Sequence, residues 1–268
     1  MTKPILHFAH ANSYPAGTYR QFFQHLGARF DVRALEMHAH HPDYPVDDGW
    51  RNLARELIAQ LERYDAPVVL CGHSLGGMLS MMVAKKRPDL VRCLVMLDSP
   101  VVAGWRAFFW RSLKHQPWAD RYTPAKHSAR RRELWPSKEA AHAHFAAKPG
   151  FAAWAPGVLA DYIEAGTKPH PEGVTLRFTR EIETAIYRTL PHHLGRLVRT
   201  PFPVPAGFIA GTRSYECRQA GLEATHRLVG KNFVNIEGGH LFPMERPQES
   251  AAAVIAMVDR LLEGRDLA

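Results

Sequence analysis

The sequence predicts an α/β fold in which a mostly parallel sheet of about six strands carries helices on both faces and is interrupted by a long helical insertion. Three observations predict it. Short apolar, β-branched runs alternate with helical stretches over residues 4–100 and again over 203–265. Between them, from about Pro100 to Arg199, apolar strand runs almost vanish, and aromatic residues mix with charges at helical spacing. The run Pro67-Val68-Val69-Leu70-Cys71 passes straight through Gly72-His73-Ser74-Leu75-Gly76 into a helical stretch reaching Lys86. That is the strand–turn–helix setting a G-x-S-x-G nucleophile elbow requires.

Along the chain, Ile5–Ala9 reads as the first strand, followed by a helix near Thr18–Leu26 and a second strand at Asp31–Met37. His38–Asp48 is a loop rich in His, Pro and Asp. Gly49–Tyr64 places Trp50, Leu53, Leu57, Ile58 and Leu61 at helical spacing. The Val68–Cys71 strand, the elbow helix and a strand at Val91–Leu97 complete the first part; this alternation implies right-handed crossovers. In the insertion, Ser137 reads as the N-cap of a helix, and Val174–Phe178 as a short strand or an extended link. The α/β rhythm resumes with a strand at Ala206–Ala210, a helix near Glu216–Val229, a strand at Asn232–Ile236 and a closing amphipathic helix at Gln248–Leu262. The organisation is a core of residues 1–100 and 201–268 with residues 101–200 as a lid.

A chain of 268 residues can bury a sizeable core. No apolar run is long enough to span a membrane. Met1-Thr2-Lys3-Pro4 leads directly into the first strand without a secretory pattern. The three cysteines, Cys71, Cys93 and Cys217, lack metal-ligand spacing and read as core thiols, which suits a cytoplasmic protein. The formal charge of +8 is mostly dispersed. Its one tight cluster, Arg130-Arg131-Arg132, reads as a solvated helix face, so no nucleic-acid partner is expected. His38, His40, His41 and Asp43 cluster in one loop without a matching second group of ligands, so no metal is expected there.

A serine hydroxyl is a poor nucleophile at neutral pH and needs a base, usually histidine, oriented by a carboxylate. Among sixteen histidines His240 stands out, because it follows the last strand on a Gly238-Gly239 turn. That is the carboxyl edge of the sheet, where Ser74 also lies and where open α/β sheets place their sites.

His10-Ala11-Asn12, Gly72-His73-Ser74-Leu75-Gly76-Gly77 and Gly238-Gly239-His240 with the residues to Pro247 resemble the α/β-hydrolase family. The resemblance covers the two flanking parts, and the middle matches only as a helical cap. The family's antiparallel first hairpin has no counterpart, which leaves a six-stranded parallel sheet. The resemblance implies an oxyanion hole built from two backbone amides. One is that of Leu75; the other comes from the loop after the first strand, where Asn12 is the first candidate and Ala11 the second. Such donors lower a barrier by about 3–4 kcal/mol each.

The acid is open between two positions. The family most often carries it after the penultimate strand, but that turn here reads Gly211-Thr212-Arg213-Ser214, with Glu216 two residues on. The other location is the end of the strand after the elbow helix, where Asp98 stands. Asp98 is preferred and Glu216 is the alternative.

A serine at the elbow points to acyl transfer rather than the family's Asp-nucleophile chemistry. The expected activity is a cofactor-free, carboxylesterase-like hydrolase of a small or medium apolar ester. Thioesterase, C–C bond hydrolase and acyltransferase share its catalytic parts, and a noncatalytic ligand-binding member is the rival of another class. The expected partner is a small ester or thioester, with no membrane and with a homodimer left open. His73 and Tyr14 stand near enough to the active edge in sequence to be read as substrate contacts.

Overall fold

A computed structural model describes residues 3–116 and 118–263. Met1 and Thr2, part of the segment read as leading directly into the first strand, lie outside the described residues. The chain forms an α/β-hydrolase fold around a six-stranded sheet in the order β2-β1-β3-β4-β8-β9. These strands are β1 Ile5–Ala9, β2 Asp31–Ala34, β3 Val68–His73, β4 Val91–Leu97, β8 Ala206–Gly211 and β9 Phe233–Ile236, and every adjacent pair is parallel.

Both faces of the sheet are covered, which is why its central strands read as unbroken apolar runs. Successive side chains alternate between two cores. Val68 and Leu70 of β3 pack with Leu57, Leu79 and Val83, whereas Val69 and Cys71 pack with Phe8, Phe22, Val254 and Val258. The first core lies under helices α2 (Arg51–Leu61) and α3 (Leu75–Lys86), the second under α1 (Arg20–Leu26) and the closing helix Pro247–Leu261. Cys71, Cys93 and Cys217 are free thiols, all buried.

The chain runs from β1 outward to β2, then returns to the far side of β1 as β3. The order therefore reverses between β1 and β3, the place where open α/β sheets set their ligand sites. Residues 10–14 follow β1 and Ser74 follows β3.

Between β4 and β8 the chain holds helix α4 (Gly104–Leu113), helices Lys138–Ala146, Val158–Gly166 and Arg180–Arg188, and several single turns. Ser137 caps its helix as expected, its hydroxyl accepting from the Ala140 amide at 3.2 Å. The segment also holds a small antiparallel sheet, ordered β5 (Leu134–Trp135), β7 (Gly173–Leu176), β6 (Thr167–His170); β7 falls on the stretch read as a short strand or extended link at Val174–Phe178, whereas β5 and β6 were not anticipated. Strands this short carry too few residues to show a period.

Two other expectations shift. The helix expected near Glu216–Val229 is two helices, Tyr215–Ala220 and Glu223–Val229, broken where Gly221 takes φ +73°. Arg130–Arg132 is not a helix face: Arg131 follows a turn and points inward, while Arg130 and Arg132 stay exposed. No helix among the described residues is long and apolar enough to cross a membrane.

Candidate active site

The elbow is set by backbone crowding. A Cβ on Gly72 would lie 2.4 Å from the Gly76 carbonyl carbon, and one on Gly76 would lie 2.0 Å from the Ala9 carbonyl oxygen. Only glycines let α3 cross β1 and β3 so closely. Ser74 then turns at φ 53°, ψ −115°, where a non-glycine residue is strained. Its amide donates to the Leu97 carbonyl at 3.0 Å, tying the elbow to β4. Its hydroxyl caps no helix amide and lies 3.0 Å from His240 Nε2.

His240 stands on the turn after β9. Gly238 adopts φ +147°, and the Gly239 amide donates to the Glu245 carboxylate at 3.1 Å, which holds the turn shut. The other ring nitrogen, Nδ1, donates to Asp98 Oδ1 at 2.8 Å. Asp98 directly follows β4 at φ 43° and is wholly buried. Its remaining lone pairs are filled by the Gly211 amide at 2.7 Å and the Ser214 hydroxyl at 2.5 Å, with the Cys217 thiol at 3.4 Å. The turn that lacks an aspartate thus supplies donors to one carried by the neighbouring strand. Glu216 Oε2 lies 3.8 Å from His240 Nδ1 on a half-exposed side chain, beyond hydrogen-bond distance.

Burial alone would raise the Asp98 carboxyl, but the His240, Ser214 and Gly211 hydrogen bonds hold it below its ordinary range. For His240, burial disfavours the charged ring; the Asp98 hydrogen bond and the Glu216 and Asp98 charges outweigh it and raise the imidazole above 6.5. Among the described residues, Asp98, Glu216 and His240 are the one grouping whose ligand atoms could share a cation, and a cation there would compete with the Asp98–His240 bond. The histidine loop does otherwise: His38 is buried near Glu56, and His40 bonds the His38 carbonyl and the Thr179 amide.

The α/β hydrolase family model ("Alpha/beta hydrolase family") matches residues 8–253. The chain belongs to the α/β-hydrolase family. Among curated proteins, this α/β hydrolase is 32% identical over 105 residues to the mouse (Mus musculus) sn-1-specific diacylglycerol lipase ABHD11, covering 37% of this chain and 34% of that protein. It is 36% identical over 97 residues to the atrochrysone carboxylic acid synthase PKS4 of Calonarius odorifer, covering 35% of this chain and 6% of that protein. The matches thus span at most about a third of those relatives' own length. Among solved structures, E-2-(acetamidomethylene)succinate hydrolase superposes with TM-score 0.72 at 20% identity, over 97% of this chain and 92% of that one. The thioesterase domain from the curacin biosynthetic pathway superposes with TM-score 0.72 at 16% identity, over 95% and 91%. At these identities the likeness is one of fold.

Around the three side chains, the hydrolase chain places the remaining candidates as follows. Leu75 is the first residue of α3, so its amide has no intrahelical acceptor. The amide of Ala11, the second candidate from the loop after β1, is engaged within the fold, donating to the Tyr19 hydroxyl at 3.2 Å. Asn12 is buried, and its side-chain amide donates to the Glu183 carbonyl at 3.2 Å. His73, read as a substrate contact, is instead wholly buried with both ring nitrogens engaged: Tyr19 donates to Nδ1 at 2.7 Å, and Nε2 donates to the His240 carbonyl at 2.8 Å. Burial, then the nearby His240, pushes its pKa down to about 3, so the ring is neutral. Tyr14 packs its half-buried ring against Trp154 and Tyr162 of the segment inserted between β4 and β8.

Three residues escaped the sequence. Tyr19 sat inside an ordinary helical pattern. Ser214 was visible only as a missing aspartate. Arg131 was masked by its two exposed neighbours; its guanidinium donates to the Ser13 hydroxyl, to Glu183 Oε2 at 2.6 Å and to the Tyr162 hydroxyl at 3.0 Å. It therefore joins the segment inserted between β4 and β8 to the loop that carries Asn12.

Proposed function

We propose that this α/β hydrolase is a serine hydrolase that cleaves a small or medium apolar ester through an acyl-enzyme. One observation carries the reading: His240 bridges the Ser74 hydroxyl at 3.0 Å and the buried Asp98 carboxylate at 2.8 Å. With Asp98 on Nδ1, the imidazole presents an unprotonated Nε2 to Ser74. Ser74 Oγ attacks the ester carbonyl while Nε2 takes its proton. The Leu75 and Asn12 amides hold the oxyanion, the imidazolium protonates the departing alcohol, and water then releases the acid by the same steps in reverse.

A thioester fits the same machinery, and a panel of acyl esters and acyl thioesters of matched chain length separates the two. The rival reading, a noncatalytic ligand-binding protein, would gain weight from a His240 without a carboxylate partner, and Asp98 is bonded to it. The test is labelling by a fluorophosphonate probe. Wild type is expected to react, and Ser74→Ala and His240→Ala are not. A protein that melts cooperatively yet shows no Ser74-dependent labelling would sink the enzymatic reading.

A further inference from the structure

A cavity of about 480 Å³ lies outside the site described above, walled by α4, residues 192–199 and residues 220–227. Five arginines line it: Arg106, Arg111, Arg196, Arg199 and Arg227. None of the five forms an ion pair or a side-chain hydrogen bond among the described residues. The only carboxylate in the wall is Glu223, so four of the five positive charges are uncompensated. By contrast, Arg87, Arg131, Arg188 and Arg213 each meet a carboxylate. His192 also lines the cavity and has a buried Nδ1 without a partner. Burial, then the Lys114, Arg111 and Arg196 charges, lowers its pKa.

The wall is held in place. A Cβ on Gly195 would lie 2.5 Å from the Ala103 Cβ, so the 192–199 segment abuts the start of α4 directly. A Cβ on Gly221 would lie 2.9 Å from Arg106 Nη1. The helix break at Gly221 thus makes room for a guanidinium inside the cavity. Two aromatic residues complete the lining, Trp105 and Phe108, 69% and 70% exposed. Arg106 lies over the Trp105 ring at 4.9 Å. Guanidinium forks match phosphate oxygens in pairs, and exposed rings offer a flat apolar face beside them.

We propose that this cavity is a binding site for a small organic diphosphate, the phosphates held by the arginines and a planar or apolar group laid on Trp105 and Phe108. The site is independent of the reading given to Ser74. Four uncompensated charges suit the roughly two to three negative charges of a diphosphate near neutral pH better than the single charge of a carboxylate.

Isothermal titration calorimetry at low ionic strength tests this with ADP, pyrophosphate and adenosine as probes. ADP and pyrophosphate are expected to bind and to compete, with adenosine at least tenfold weaker. The double variant Arg196→Gln/Arg199→Gln is expected to weaken both phosphates by tenfold or more, from the loss of charge-assisted hydrogen bonds. Trp105→Ala is expected to weaken ADP and leave pyrophosphate unchanged. The His192 imidazole, followed by NMR, is expected to rise in pKa when pyrophosphate binds. All three side chains are exposed, so unchanged melting curves verify the fold. Absence of heat with ADP and pyrophosphate at millimolar concentration overturns the proposal, as does binding that survives the double variant. Retention on phosphatidate–phosphatidylcholine vesicles without binding of either soluble phosphate also overturns it, in favour of a lipid surface.

Discussion

His73 Nε2 donates a hydrogen bond of 2.8 Å to the main-chain carbonyl of His240. The residue beside the elbow serine thus anchors the backbone of the residue that faces that serine. The same ring accepts from Tyr19, whose hydroxyl accepts from the Ala11 amide. One chain of hydrogen bonds therefore runs from the loop after β1, under the elbow, to the turn after β9. Substituting His73 by Phe keeps most of the volume and removes both bonds. The Tyr19 hydroxyl proton then loses its acceptor and the His240 carbonyl its donor, at about 1–3 kcal/mol for each buried group. The expected outcome is a lower melting temperature and a lower kcat with KM little changed. A variant that melts lower but keeps kcat would show that His73 acts on stability alone.

Asp98 and Glu216 both face His240 Nδ1, at 2.8 and 3.8 Å, and should separate sharply under mutation. Asp98→Asn removes the acceptor that orients the ring and is expected to lower kcat by about 10⁴. Glu216→Gln removes only a half-exposed charge, and less than a tenfold loss is expected. The reverse ranking would make Glu216 the working acid.

The pH dependence follows from the direction of the His240 shift. In the proposed mechanism the neutral imidazole is the base, so activity is expected to rise as pH climbs through its pKa, which is raised above 6.5. The acid limb of kcat/KM is therefore expected to have its midpoint above 6.5. Glu216 contributes to the raised value, so Glu216→Gln should move the limb toward lower pH. A rate profile of the two proteins checks the sign.

Arg131 and Glu183 form an ion pair at 2.6 Å with side chains 16% and 9% exposed. Arg131→Met leaves the Glu183 carboxylate buried without its partner, which costs about 3–5 kcal/mol. It also releases Ser13, which holds φ 76° in the loop carrying Asn12. Chemical denaturation should show the loss, and Arg131→Met/Glu183→Gln should recover part of it. If the double variant is no more stable than the single, the ion pair is not the source of the penalty.

Burial lowers the pKa of His7 and His73 to about 3 each. In the unfolded chain each protonates near 6.5. The unfolded state thus binds the extra protons, and stability falls as pH drops below 6.5 and keeps falling toward 3. By pH 5 each histidine accounts for about 2 kcal/mol, at 1.36 kcal/mol per unit. Melting temperature measured from pH 7 to 5 should decline, and less steeply in His7→Asn.

The amino-acid sequence by itself determined the sheet, the elbow and the histidine that faces it. Continuous apolar runs can be satisfied only between two covering layers, and the glycines about Ser74 stand at the spacing that a close strand–turn–helix crossing requires, Gly72 against Gly76 and Gly76 against Ala9 of β1. His240 was legible for the same local reason, as a histidine on a Gly-Gly turn after a final strand. Tertiary structure decided the rest, because it depends on distances between residues far apart in the chain. Asp98 and Glu216 are chemically alike, and only packing put one at 2.8 Å and the other at 3.8 Å from the same nitrogen. His73 looked like a substrate contact because it adjoins Ser74, yet β3 turns it under the sheet edge toward Tyr19 and the His240 carbonyl. Arg131 read as one of three surface charges until the inserted segment folded Glu183 and Tyr162 around it. Local geometry is written in neighbouring residues, whereas the choice among equivalent side chains is made by the fold that brings them together.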